Sequence, residues 1–309
     1  MKIVVITQPF PMGEYHWKSF EAKHLSNLGH DVYLLEQLNG RDYDDEYVNQ
    51  VKEIQPDIIY STPADHKTFE VIEQIDCKKV INICSLGIMK NHISEWTNYH
   101  KVWWDAMLTN SSVLYESAKK VTNKVIHYEF PLVPIKDDEI KFDKQYNHDC
   151  VFLGQGFHRL SIPEFRKERE TFFIGNHDFN FKVYGNGWPQ SNWFGGILPD
   201  GHIGKLYSSA KSAVGVIEQD QRIYGLINNR YSEMGYCGVP IITFDYKDID
   251  WFGAEKYLNF ISSYDEFQNT VHKCINDDED IINKAVGFKN FMENQHKTYL
   301  QKLEDIINA

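Results

Sequence analysis

The 309-residue sequence predicts an α/β protein of two doubly wound parallel sheets in tandem, and three observations lead there. Short apolar runs alternate with amphipathic segments in the rhythm of strand–helix units. Prolines and charges from Pro131 to His148 interrupt that rhythm, which starts afresh at Cys150. With 42% hydrophobic and 14% aromatic residues, the chain can also fill two ordinary cores.

The elements follow in order. Ile3 to Thr7, Asp31 to Glu36, Asp57 to Ser61, Lys79 to Cys84, Met107 to Asn110 and Val125 to Phe130 read as strands. Helical patterns fall between them near 16–28, 44–54, 66–75 and 112–120. The second series runs through Cys150 to Gly154, Phe181 to Gly185, Ser212 to Ile217, Pro240 to Phe244 and Tyr257 to Ile261. Its helices are expected near 163–173, 201–211, 228–237 and 264–275, and an amphipathic helix closes the chain. This gives a first domain over 1–135, a second over 149–285 and a C-terminal helix over 286–309. Tandem sheets of this kind bind ligands at their strand C-termini, so facing sheets would hold a donor and an acceptor across a cleft.

Composition narrows the function. The formal charge of −12 opposes nonspecific binding to nucleic acid or to an anionic membrane. No stretch approaches the ~20 apolar residues of a membrane span, and Met1-Lys2 leads straight into a short strand, which reads as cytoplasmic. Five scattered cysteines without a Cys-x-x-Cys pair read as thiols of a reducing compartment. Zinc spacing, a Gly-x-Ser-x-Gly elbow and a Walker A sequence are all missing, and the loop after the first strand, Gln8 to Gly13, lacks the dinucleotide fingerprint.

The most informative segment is Asn228 to Pro240, followed by the strand-like Ile241 to Phe244. It sets Arg230 and Glu233 three residues apart at the start of a short helix closed by Gly238. A guanidinium beside free helix N–H groups suits an anion, and a carboxylate one turn on accepts two hydrogen bonds from a vicinal diol. Together they form a cradle for a nucleoside diphosphate; spacing alone equally allows a surface i,i+3 pair. Gly154-Gln-Gly156-Phe-His-Arg159 follows the first strand of the second series, with Arg166 and Arg169 beyond it, and either lets backbone approach a diphosphate or makes a bare tight turn. Tyr184-Gly185-Asn186-Gly187-Trp188 offers hydrogen bonds and stacking, or a glycine turn with Trp188 packed at the domain edge. Phe194 to Pro199 is expected to be a loop whose peptide groups face a nucleobase edge.

Taken in order, Gly154-x-Gly156, Tyr184-Gly-Asn-x-Trp188, Gly196-x-x-Pro199, Arg230-x-x-Glu233-x-x-x-Cys237-Gly-x-Pro240 and His296-x-Thr298-Tyr299 resemble the C-terminal half of GT-B glycosyltransferases. The nearest likeness is to the bacterial spore-maturation-protein-like glycosyltransferases. The same region is similar to phage DNA β-glucosyltransferases. The resemblance implies two Rossmann-like domains facing a cleft, with the last helix crossing back onto the first. It implies that Arg230 and the 156–166 loop, with Gly154, Gly156, Arg159 and Arg166, hold the diphosphate. Glu233 would take the ribose or sugar hydroxyls, the Leu198 backbone the base, and Gly185 and Asn186 would line the same site.

In the phage enzymes an aspartate follows the strand matching Lys79 to Cys84 and acts as general base. Here that place reads Cys84-Ser85-Leu86, and a serine cannot replace a carboxylate. Candidates for the base are His92 first, then His16 and Asp65, with Glu14, His66 and Glu95 nearby. Trp96, Trp103 and Trp104 offer either an acceptor platform or core packing.

The expected activity is transfer of a sugar from a nucleotide-sugar donor, UDP-hexose first, to an acceptor hydroxyl, with no cofactor beyond the donor. Fixed cations stabilise the departing diphosphate without a metal. Asp248-Ile-Asp250 is the metal-binding alternative, while Asp278 and Asp280 read as a solvated turn and helix start. The acceptor partner is a saccharide or, alternatively, a hydroxymethylated base of phage DNA flipped into the site. A third possibility is a sugar-nucleotide-binding protein without catalysis.

Overall fold

A computed structural model describes residues 1–7, 17–36, 45–61, 72–83, 104–120, 122, 124–131, 135–156, 166–173 and 177–308. The chain forms two compact units. The first comprises Met1–Pro131, Tyr224–Leu226 and Lys297–Ala309, and the second Leu132–Ile223 and Ile227–His296.

The first unit is built on a six-stranded parallel sheet. Its strands are β1 (Lys2–Thr7), β2 (Asp31–Glu36), β3 (Ile58–Ser61), β4 (Lys78–Ile83), β5 (Ala106–Thr109) and β6 (Val125–His127), in the order β2-β1-β3-β4-β5-β6. Among the described residues, α1 (Trp17–Asn27), α2 (Asp45–Ile54) and α3 (Ser112–Ala118) accompany them. Alternate strand residues point to opposite faces, which separates Val4, Ile6, Ile59, Ile81 and Ile83 from Ile3, Val5, Ile58, Tyr60 and Val80. The first set packs on Tyr47, Val48 and Val51 of α2 and on Leu114 and Ala118 of α3. Leu226 and Trp104 complete this core, so of the three tryptophans expected near the acceptor the one described is a packing residue. The excursion Tyr224–Leu226 is fixed where Ser111 Oγ donates to the Tyr224 carbonyl at 2.6 Å.

A buried polar network joins α1, the sheet and the C-terminal helix inside this unit. Lys18 and Glu21 form an ion pair at 2.8 Å with both side chains fully buried, and the ammonium lies 3.3 Å from the centre of the Tyr60 ring. Tyr60 donates to Glu21 at 2.8 Å, and the Tyr299 hydroxyl donates to the same carboxylate. Asn82 donates to Tyr299 at 2.9 Å and accepts from Tyr128 at 2.8 Å. Buried charges persist only when paired and hydrogen-bonded, and these partners supply that environment.

The second unit carries β7 (Cys150–Leu153), β8 (Phe181–Tyr184), β9 (Phe194–Gly196), β10 (Ala213–Gly215), β11 (Ile241–Phe244) and β12 (Asn259–Ile261). They form one parallel sheet in the order β12-β11-β10-β7-β8-β9. Its helices are α4 (Arg166–Glu168), α5 (Ile203–Ser209), α6 (Gln219–Ile223), α7 (Asn229–Cys237), α8 (Tyr264–Ile275) and α9 (Glu279–Asn308), whose final residues belong to the first unit. Phe152, Phe172, Phe173 and Phe267 interlock as edge-to-face pairs in its core.

Some local details differ from the sequence expectation. Phe194 to Pro199 begins with the edge strand β9 rather than a loop, because Gly195 lets the backbone lie against the Tyr184 ring, where a Cβ would come within 2.5 Å. The helix expected over 163–173 is one short turn that passes into a π-helix over Arg169–Phe173. Thr171, Phe172 and Phe173 are all buried there, and three successive residues of an α-helix cannot share one face. Within the Pro131 to His148 stretch, two 3-10 turns bury Glu139 and Tyr146 in the second unit. Helix α6 has no counterpart in the sequence reading. The helix expected over 66–75 lies largely outside the described residues.

Candidate functional site

β7 and β10 are neighbours from which the second sheet winds in opposite directions, so the loops after their C-termini mark its topological switch point. The segment after β10 leads through α6 to α7, whose second residue is Arg230. Asn228 occupies the N-cap of α7 without capping it. Its amide donates to the Val216 carbonyl at 2.8 Å and to Gln221 Oε1 at 3.1 Å, which leaves its own oxygen buried without a partner among the described residues. The first N–H groups of α7 are therefore not satisfied by the cap side chain, and a helix N-terminus in that condition attracts anions.

Arg230 reaches back across the switch point. Its Nη2 lies 3.0 Å from where a Cβ on Gly154 would stand, so glycine after β7 lets the guanidinium lie there without being displaced. The guanidinium carbon is 5.5 Å from the centre of the Phe152 ring, and Nη1 is buried without a hydrogen-bond partner among the described residues. Glu233 follows one turn on with 8% of its surface exposed. Burial raises its carboxyl to about 7, against the opposing pull of Arg230. Near neutral pH it therefore exists in both protonation states, able to accept hydrogen bonds from hydroxyls when ionised.

The glycine loops are tied to one another. Gly154 N–H donates to Tyr184 O at 2.9 Å, Gly156 N–H to Asn186 O at 2.8 Å, and Gly185 N–H to Gly196 O at 2.9 Å. Gly185 has φ +126°, and a Cβ there would lie 2.2 Å from Gly154 O. Trp188 donates from its indole to Gly154 O at 2.7 Å and packs on Phe152, Phe173 and Trp193. These N–H groups tie the loops together. Asn186 is exposed beside them. Leu198 follows β9 half-buried, and among the described residues neither its N–H nor its carbonyl makes an internal hydrogen bond.

Arg166 is exposed and pairs with Glu170 at 2.7 Å. The candidate bases His92, His16 and Asp65 lie outside the described residues, as do Arg159, Glu14, His66, Ser85, Glu95, Trp96 and Trp103. Asp250 accepts from the Phe252 N–H at 2.9 Å in a local turn, and Asp278 accepts from the N–H groups of Asp280 and Ile281 at the start of α9. Among the described residues no group of three or more histidine, cysteine or acidic side chains has metal-site geometry. No helix there is long and apolar enough to cross a membrane. Asn228 escaped the sequence reading because an asparagine before a helix signals a cap, and only the fold reveals that its side chain turns away.

Residues 166–308 match the family model described as glycosyl transferase-like. No curated protein sequence matches the chain. Among solved structures, HepE from Anabaena, in complex with UDP-glucose, superposes with a TM-score of 0.64 at 13% identity, covering 100% of this chain and 99% of its own. The β-glucosyltransferase of phage T4 gives 0.61 at 13% identity, covering 99% of this chain and 98% of that one. Sucrose-phosphate synthase from Thermosynechococcus elongatus gives 0.64 at 12% identity, with 100% and 98% covered. Residues 166–308 are thus similar to the glycosyl transferase-like family, and the whole chain has the GT-B fold of these structures.

Proposed function

We propose that this protein transfers a hexosyl group from a nucleotide-sugar donor, UDP-hexose first, to an acceptor hydroxyl, without a metal ion or further cofactor. The observation that carries the reading is Arg230, a fixed cation with a buried unpaired N–H beside the uncapped start of α7. Departure of the sugar leaves charge on the diphosphate, and a preorganised cation at a helix N-terminus stabilises that charge without a proton transfer. Glu233 takes the ribose or sugar diol, and the Leu198 peptide groups take the edge of the base. Gly154, Gly156, Gly185 and Asn186 act by holding the loops that carry these contacts. Arg159, and Arg166 if it leaves Glu170, would add charge from the adjoining loop. The base that deprotonates the acceptor is sought at His92, then His16 and Asp65.

A saccharide acceptor is favoured because a formal charge of −12 opposes a polyanion. The DNA-acceptor reading draws support from likeness to T4 β-glucosyltransferase, a DNA-modifying enzyme. A cytoplasmic setting accords with the free thiols of Cys77, Cys150, Cys237 and Cys274 among the described residues. The test incubates the protein with UDP-glucose and, separately, mixed oligosaccharides or hydroxymethylated duplex DNA, with mass spectrometry of products. A hexose mass added to a saccharide supports the favoured reading, and addition to DNA alone supports the alternative. UDP binding with neither transfer nor donor hydrolysis would make the protein a binder.

A further inference from the structure

Arg222 closes α6, the first element after β10, on the same switch-point edge as Arg230. Its guanidinium carbon lies 5.0 Å from the centre of the Tyr246 ring. That ring is a rigid platform. Tyr246 is buried, its hydroxyl donates to the buried Glu168 carboxylate at 3.3 Å, and the Ile217 N–H approaches the same oxygen at 3.5 Å. Stacking on the ring face fixes a cation without using its N–H groups. Arg222 makes no ion pair with Glu168 among the described residues, and its Nε is buried without a hydrogen-bond partner. A buried donor left in that state is costly unless a ligand completes it.

Two guanidinium groups, from Arg222 and Arg230, thus flank the segment after β10, each set against an aromatic ring and each holding one buried N–H unpaired among the described residues. Among the described residues no ion pair with a carboxylate accounts for Arg222, whereas an anion with more than one charged group explains both arginines. We propose that Arg222 is a second phosphate-binding residue of the donor site, so that the two arginines grip a diphosphate from both sides. This rests on the donor reading above. It makes Arg222 responsible for preferring nucleoside diphosphates over monophosphates, because one cation suffices for a single phosphate.

The test measures affinities of the full-length protein for UDP, UMP and uridine in the wild type and in Arg222→Gln and Arg222→Lys. The expected result for Arg222→Gln is UDP binding weakened on the order of 10-fold or more, UMP weakened less, and uridine unchanged. Arg222→Lys, which keeps the charge but loses Nε and the planar stack, should fall between, and it serves in place of Arg222→Gln if that variant does not fold. Unchanged UDP affinity in both variants would overturn the role of Arg222 while leaving the donor site standing. Equal losses for UDP and uridine would assign Arg222 to packing and overturn it as well. Failure of the wild type to bind any of the three would instead remove the donor reading on which the proposal stands.

Discussion

At the residue scale, donor binding turns on Arg230 and Glu233. Arg230→Ala should weaken UDP binding by on the order of 1.5–3 kcal/mol, the worth of a charge-assisted contact, and calorimetry showing unaltered affinity would contradict its assignment. Glu233 adds a pH signature. An acid raised on folding from 4.5 to about 7 contributes stability that is complete below its unfolded value and is lost as pH rises toward the folded one. Glu233→Gln removes that loss, so the melting temperature of the variant relative to wild type should climb between about pH 5 and pH 7 and level off above. A difference that ignores pH would mean that Glu233 holds no proton at neutral pH. For ligand the sign is opposite, because the carboxylate is the form that accepts both diol hydroxyls, and uridine affinity should rise over the same window. The Arg230 and Glu233 pair was legible from three-residue spacing ahead of Gly238. The unpaired N–H groups and the turned Asn228 were not, since they depend on what Val216 and Gln221 present across a loop.

At the scale of elements, the donor loops are held by glycine contacts rather than by long side chains. A Cβ on Gly156 would stand 2.5 Å from the Trp188 indole, which is buried and hydrogen-bonded and cannot yield. Gly156→Ala should therefore cost about 1–3 kcal/mol in denaturant unfolding and loosen the loops around Arg230; a neutral effect would mean that Trp188 is free to move. Strands with apolar alternation or continuous apolar runs, such as β1, β4 and β11, could be read directly from sequence. β9 could not, because Gly195 and Gly196 carry no side-chain pattern and the strand exists through close approach to Tyr184. α6 is five residues long, too short for periodicity to declare it.

At the scale of the molecule, alternating strand and helix patterns foretold two parallel sheets, and the chain has them. The path of the chain between them was less visible. Tyr224–Leu226 joins the first unit because Leu226 fits its core, a destination no local pattern encodes. α9 contributes Lys297–Ala309 to that unit, where Tyr299, Leu303, Ile306 and Ile307 are buried and Lys78 Nζ donates to the carbonyls of Ile306 and Ile307 at 2.9 and 3.0 Å. Leu303→Ala should destabilise the first unit by about 2–5 kcal/mol. Hydrogen exchange should show faster opening of β1, β3 and β4 with β7, β10 and β11 unaffected; equal acceleration in both sheets would contradict that placement.

The most direct test of the central claim, a metal-independent nucleotide-sugar site in the second unit, is a thermal-shift comparison of UDP, GDP, ADP and TDP, each with and without EDTA. Stabilisation by one of them, UDP first, is expected, unchanged by EDTA and markedly reduced in Arg230→Ala. No shift with any nucleotide, or a shift that EDTA removes, would contradict it.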